Sequence, residues 1–466
     1  VVSSNSRSIA IFLSSPRRMP HASDMAEGSK KSFLIAGRPR GDDAAKSATP
    51  LLPQSVSGIR LAHFGPGLVV CLADADIGGL FTMAAAGART GYRLVPFQLL
   101  LIPVLFSVQE MVVRLAVHRR QGLIALAREE IGNASMVVLL VSMLALNSTA
   151  LVSQLSGVAA LGQLYGLSSR VSCILASCFL FAVASAGRPE RMEYVGLCLG
   201  SGLVVFVVTA ALCGPNWSEM ANSFHVLLFP SAARAAQHLP RDLVVANIGA
   251  VVTPWMLFYQ ASAIVEKRLT ADTLMAARLD TLVGSVATQF VTTCALVTFA
   301  VQARGLELDT LPIGDVFFRP LQPLLGVLGR IAITAGLLGS SLLSSLVVCL
   351  GLSWNLSEVF APHGAAGTAT SSKRFLALFG LTVVMGALSV GSRFIGIVRL
   401  NILIQMLNGV VMPIVVGHVF YLATSKRVLG ENRVKGVYAI AVGIALFACV
   451  WFALSPAIWM AAATSH

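Results

Sequence analysis

An all-α polytopic membrane protein is the fold class this sequence predicts, on three observations. The 466-residue chain is 56% hydrophobic and only 12% charged, about half the charged fraction of an ordinary soluble domain. Apolar stretches near the roughly 20 residues needed to cross a bilayer recur along almost its whole length. Short polar segments rich in Arg and Lys separate them, and mean hydropathy is +0.79. The alternating segments of about ten residues that mark a membrane-spanning β-barrel are absent.

Taken in order, residues 1–60 are polar, basic and rich in Ser, Pro and Gly, so a mostly disordered tail is expected. Its apolar run Ile9–Leu13 is too short to span and has the wrong flanks for a signal segment. From 61 to 456 the chain reads as one transmembrane domain, followed by a short tail, 457–466. About eleven spans meet the length criterion: 66–87, 94–117, 135–161, 170–187, 192–213, 242–266, 280–302, 327–350, 374–391, 398–423 and 437–456. The longest connections are 214–241 and 303–326, and 361–372, rich in Gly, Ala, Ser and Thr, reads as a flexible loop.

Orientation follows the Lys/Arg bias of the loops. Arg119, Arg120, Arg128, Arg188, Arg191, Lys267, Arg268 and Lys426 fall in one class with the basic tail. Arg89, Arg93, Arg170, Arg304 and Arg399 fall in the other, which has longer loops. The amino terminus is therefore expected in the cytoplasm of a cell with the protein in its plasma or inner membrane. An odd number of spans puts the carboxyl terminus outside. The net charge of +13 reads as topology and contact with anionic lipid heads rather than nucleic acid. The eight Cys lie mostly within apolar stretches, as small packing residues, and neither they nor the eight His show zinc-type spacing. No cofactor is expected, and no obligate protein partner is evident.

Two spans are interrupted. The first runs Gly65-Pro66-Gly67, then Ala73-Asp74-Ala75-Asp76-Ile77-Gly78-Gly79. Two carboxylates in mid-membrane are expensive unless paired or solvated, and such acids are functional by default. Gly78-Gly79 is expected to let the backbone unwind there. Carboxylates with freed carbonyls make a hard-oxygen cation site. The sixth span carries Gly249-Ala250-Val251-Val252-Thr253-Pro254-Trp255. Pro254 removes a donor and clashes with the carbonyl of Ala250, freeing it beside the Thr253 hydroxyl. The two segments occupy matching places in two five-helix halves, the best sequence pointer to a transporter binding site.

At these residues the chain resembles the Nramp (natural resistance-associated macrophage protein) divalent-metal transporters. Gly65-Pro66-Gly67, Asp76-x-Gly78, Ala86-Gly87-Ala88 and Gly91-Tyr92 are similar to that family's first span, whose hallmark is Asp-Pro-Gly-Asn. Gly249-Ala250 with Thr253-Pro254, through Tyr259, Ser262 and Ala263, is similar to its sixth span, whose hallmark is Met-Pro-His. The resemblance implies a LeuT-type fold: two inverted five-helix repeats plus an eleventh helix, with metal bound at the midplane. It carries the metal ligands onto Asp76, the carbonyls of Ala73 and Ala250, and Gln405 of the tenth span. Asp74, Trp255 and Asn408 are further expected to line the site.

The departures from the family pattern lead to the specific expectation. The ligand Asn is Gly79, the Pro is Ile77 and the ligand Met is Thr253. Thioether suits softer transition metals, whereas hydroxyl, carbonyl and water suit Mg²⁺ and Ca²⁺. Mg²⁺ usually keeps several waters and uses one or two carboxylates. The pattern therefore resembles the Nramp-related magnesium transporters. The family's acidic proton-relay positions in the third span are Leu151 and Gln154, and its sixth-span His is Trp255. None of these titrates near neutral pH. Uptake of Mg²⁺, with Mn²⁺ as a second cargo, without proton coupling is the expectation. Proton-coupled Mn²⁺ transport, transport of an organic solute on the same fold, and a metal sensor without flux are the alternatives. No nucleophile–base constellation points to an enzyme.

Overall fold

The computed structural model describes residues 65–187, 189–228, 240–308, 311, 313–360, 372–390 and 396–463. The expected tail at 1–60 and nearly all of the expected loop at 361–372 lie outside them. Helices cover all eleven expected spans. The first is split into α1 (Pro66–Asp74) and α2 (Ile77–Thr90). There follow α3 (Val95–Arg119), α4 (Leu123–Glu130), α5 (Asn133–Gln163), α6 (Ser169–Ser185), α7 (Pro189–Ser201), α8 (Val204–Leu212) and α9 (Trp217–Leu228). The sixth span is split into α10 (Arg241–Val251) and α11 (Pro254–Glu266). The remainder are α12 (Leu274–Gln302), α13 (Ile313–Val359), α14 (Lys373–Ser389), α15 (Ile397–Thr424), α16 (Lys426–Leu429) and α17 (Gly436–Ala463).

Among the described residues, seven continuous helical stretches are long and apolar enough to cross a membrane, and one of them, Ile77–Arg119, holds parts of two expected spans. Ser169–Ser185 and Gly436–Trp451 are shorter apolar helices. The two long connections are not plain loops. α9 lies in the first, and α13 begins in the second before it breaks at Gly326, whose φ of 61° is left-handed and suits glycine. The sequence reading marks them only as connections, since neither segment is apolar over a spanning length.

The packing repeats between the halves. α1 packs on α12, the helix of the seventh span, and α11 packs on α3, the helix of the second. α5 packs on α15, and α13 on α7 and α8. α5 with α6 is matched by α13 with α14. Each half thus makes the contact that the other makes five spans on. Five crossings per half is an odd number, so the second half enters the bilayer from the opposite face, which makes the repeats inverted.

The half-helix α1 is held from a distance. Asp280 of α12 accepts hydrogen bonds from the amides of Gly65 (3.0 Å), Gly67 (2.8 Å) and Leu68 (3.2 Å). An α-helix leaves its first amides without internal partners, and a carboxylate there also favours the positive end of the helix dipole. A Cβ on Gly67 would stand 2.8 Å from both that carboxylate and the Thr281 amide, so glycine is what lets the two helices meet.

Candidate cation site

The first break lies at Ala75 and Asp76, between two stretches of regular helix. Asp76 is extended (φ −81°, ψ 172°) and caps α2, its carboxylate accepting the Gly79 amide at 2.5 Å. A carboxylate at the N-cap satisfies an otherwise orphaned amide and faces the positive end of the dipole. The expectation that Gly78-Gly79 is the unwound segment is therefore corrected: both are helical and sit in the first turn of α2. Gly79 contributes an amide to Asp76. Gly78 makes room, because a Cβ there would crowd Gln405 Nε2 and Ser153 Oγ, each 2.9 Å away, and Asn401 Oδ1 at 3.1 Å.

The second break lies at Val252 and Thr253, and Pro254 occupies the first turn of α11. Pro254 thus starts a helix, where its missing N–H costs nothing, rather than kinking a continuous one. The two breaks touch. The Thr253 hydroxyl lies 2.6 Å from Asp74 Oδ1, as donor, and 3.1 Å and 3.4 Å from the carbonyls of Gly249 and Ala250. Gly249 lets α10 lie directly on α15, since a Cβ there would overlap the Gln405 backbone carbonyl.

Around these breaks a buried polar cluster closes. Gln154 Nε2 of α5 donates to Asp76 Oδ2 at 2.6 Å. Asn408 Nδ2 donates to Gln405 Oε1 at 2.7 Å. Ser153 donates to Asn401 Oδ1 in a short hydrogen bond. Asp74, Asp76, Gln154, Thr253, Gln405 and Asn408 are all buried. Within the protein, Gln154 Oε1 and Asn408 Oδ1 have no hydrogen-bond partner. α1 and α10 both end at the breaks, so their last carbonyls, those of Ala73 and Ala250 included, have no regular continuation of helix to bond them. Those C-terminal ends carry partial negative charge, which favours a cation between them. Among the described residues no three His, Cys, Asp or Glu side chains come together in a metal-binding group. The arrangement offers two carboxylates, held by the Gly79 amide, Gln154 Nε2 and the Thr253 hydroxyl, at the carbonyl ends of two half-helices.

The structure therefore brings together Asp74, Asp76, Gly79, Thr253 and Gln154, with Gln405 against Gly78 and Asn408 bonded to Gln405. Two expected positions lie in apolar packing instead. Leu151 faces Gly386 of α14, and Trp255 is enclosed in the hydrophobic core. Ile77 rests over Gly157 of α5, filling the space a side chain there would need. Sequence reasoning missed Ser153 and Asn401. The signal was present for Asn401, which with Gln405 and Asn408 forms a polar i, i+4, i+7 stripe on one face of α15.

The family model described as natural resistance-associated macrophage protein-like (Nramp) matches residues 67–457. The chain belongs to the Nramp family. Its similar relatives include the divalent metal cation transporter MntH 1 of Pseudomonas aeruginosa, 26% identical over 416 residues, covering 83% of this chain and 90% of that protein. The divalent metal cation transporter MntH of Ralstonia nicotianae is 29% identical over 409 residues, covering 84% and 87%. Among solved structures, the manganese transporter of Eremococcus coleocola aligns with a TM-score of 0.67 at 17% identity, covering 84% of this chain and 85% of that one. MhsT in complex with L-phenylalanine aligns with a TM-score of 0.53 at 13% identity, covering 85% and 97%. These likenesses, with the repeat packing, make the Nramp chain's fold LeuT-type.

Proposed function

We propose that this Nramp chain moves hard divalent metal cations across the cell membrane by alternating access, with Mg²⁺ preferred and Mn²⁺ also carried. Family membership makes it a transporter rather than an enzyme. The observation that carries the reading is the Thr253–Asp74 hydrogen bond of 2.6 Å, which joins the two helix breaks beside Asp76. The cation would rest between Asp76, Asp74, Thr253, the carbonyls of Ala73 and Ala250, and Gln405, with Gly79 and Asn408 behind them. Every donor in that set is oxygen, which selects Mg²⁺, Ca²⁺ or Mn²⁺ over softer metals. Few charged ligands and retained water favour Mg²⁺ among these. Leu151, Gln154 and Trp255 supply no titratable relay, so the proposed transport is not proton-coupled. The amino terminus faces the cytoplasm in this reading.

Proton-coupled Mn²⁺ transport is the second reading, supported by the names of the MntH relatives and by the manganese transporter of Eremococcus coleocola. One experiment separates them. The purified chain is placed in liposomes and uptake of Mg²⁺, Mn²⁺ and Ca²⁺ is compared while internal pH is followed. Mg²⁺ uptake at least equal to Mn²⁺ uptake, without acidification, is expected. Mn²⁺ uptake with stoichiometric acidification and no Mg²⁺ flux would replace the first reading by the second.

A further inference from the structure

At one edge of the bundle, away from both helix breaks, residues of α3, α12 and α17 line a cleft of about 310 Å³. Its polar wall centres on Glu110 of α3, whose side chain is 3% exposed. Glu110 Oε1 accepts from Arg114 Nη2 at 2.7 Å and from Arg278 Nε at 2.7 Å, and the Tyr438 hydroxyl donates to Oε2 at 3.4 Å. One carboxylate therefore faces two guanidinium groups and leaves one positive charge uncompensated. The Nε of Arg114 is buried without a hydrogen-bond partner, and Arg278 keeps 29% of its side chain accessible. Arg433, just before α17, adds to the positive potential of the same end, while its neighbour Lys435 is paired with Glu431.

The other wall is apolar. Met275, Leu279 and Leu282 line the cleft from successive turns of α12 and are exposed. Arg278 is four residues into α12 and Tyr438 two residues into α17. Both positions are near the ends of spans, where a bilayer passes from headgroups to hydrocarbon and where Arg and Tyr anchor helices. Positive charge at the headgroup level with an apolar rail beneath it matches an amphiphile. A free anion would make no use of the rail.

We propose that this cleft is a binding site for an anionic phospholipid. The phosphate sits against Arg278 and Arg114, and an acyl chain lies along Leu279 and Leu282. A lipid with a net negative charge is preferred over a zwitterionic one because the cleft carries net positive charge.

The test uses the purified full chain equilibrated with mixed phosphatidylglycerol and phosphatidylcholine micelles, with retained lipids counted by native mass spectrometry. Wild type is expected to retain one phosphatidylglycerol in preference to phosphatidylcholine by about fivefold, the ratio that one nearby basic residue gives. Arg278→Gln should bring the ratio near one, with Glu110 still paired to Arg114. Leu282→Ser keeps every charge and should also lower retention, so the test survives if Arg278→Gln fails to fold. Lys373→Gln, on α14, should change nothing. Equal retention of the two lipids by wild type, undiminished preference in a folded Arg278→Gln variant, or undiminished retention in a folded Leu282→Ser variant, overturns the proposal. So does displacement of the bound lipid by millimolar inorganic phosphate, which would mark a free-anion site.

Discussion

Asp76 carries two duties at once. It caps α2 through the Gly79 amide and presents its other oxygen to Gln154. A dication in a low-dielectric site needs charge compensation, and neutral oxygens alone do not provide it. Asp76→Ala is therefore expected to abolish divalent uptake in liposomes. Its structural cost is a lost cap, about 1 kcal/mol, plus an unpaired Gln154 Nε2, about 1–3 kcal/mol, and the variant should still purify as a folded protein. Wild-type flux in a folded Asp76→Ala protein would remove Asp76 from the site. Thr253 gives a sharper test of cargo. Thr253→Met exchanges a hydroxyl bonded to Asp74 for a thioether, which prefers softer ions. Uptake should move toward Mn²⁺ and Cd²⁺ at the expense of Mg²⁺. An unchanged ion ranking would place residue 253 away from the ion.

At the scale of the helices, α1 depends on a residue more than two hundred positions away. Asp280→Ala leaves the amides of Gly65, Gly67 and Leu68 without their acceptor. Hydrogen bonds to a charged group are worth about 1.5–3 kcal/mol each in net terms, so losing all three is expected to cost about 4–9 kcal/mol. Thermal unfolding in detergent should fall by several degrees, and Asp280→Asn, which keeps one acceptor, by less. A second element is held by an exposed ion pair. Glu219 of α9 pairs with Arg304 just beyond α12. That guanidinium holds the Glu219 carboxyl below its ordinary range. A lowered carboxyl stabilises the folded state above its unfolded pKa, near 4.3, and loses that contribution as pH falls through the folded value. Limited proteolysis of the α9 region should therefore accelerate below about pH 4, and Glu219→Gln should be accelerated already at pH 7. If wild type and Glu219→Gln are cut at equal rates at pH 7, the pair does not hold α9.

Both breaks were legible in the sequence because each puts residues unsuited to continuous helix inside an apolar span: Asp74 and Asp76 in one, Thr253-Pro254 in the other. The first break was misplaced by three residues, expected at Gly78-Gly79 and found at Ala75-Asp76. Glycine permits unwinding, but an acid that caps the next helix decides where the new helix starts. α9 and the beginning of α13 could not be read from apolar length, because short helices outside the bilayer do not need it. The Ser153–Asn401 contact was hidden for another reason. It joins residues 248 apart, and periodicity within one helix says nothing about which face of another it meets.

For the molecule as a whole, the absence of titratable groups at positions 151, 154 and 255 leads to a prediction about energy coupling. A dication gains about 4.6 kcal/mol from 100 mV inside negative, twice the roughly 2.3 kcal/mol per charge, so voltage alone supports accumulation. In liposomes with a potassium diffusion potential, Mg²⁺ entry should rise with membrane potential and the lumen should not acidify. Acidification proportional to metal influx would instead require a proton carrier, and its loss in Asp74→Asn would identify that carrier.

The Asp280 contact with α1 also sets an order of assembly. The ribosome emits Gly67 first and Asp280 213 residues later. At about 5–20 residues per second, that interval lasts roughly 10–40 s. Through that time the leading half-helix of the nascent chain has no acceptor from α12 for its first amides, and for most of it Thr253, the partner of Asp74, has not been made. The opening segment of the transport domain is thus made first and fastened late. Truncated nascent chains that end before α12 should leave it accessible to reagents that the finished protein excludes.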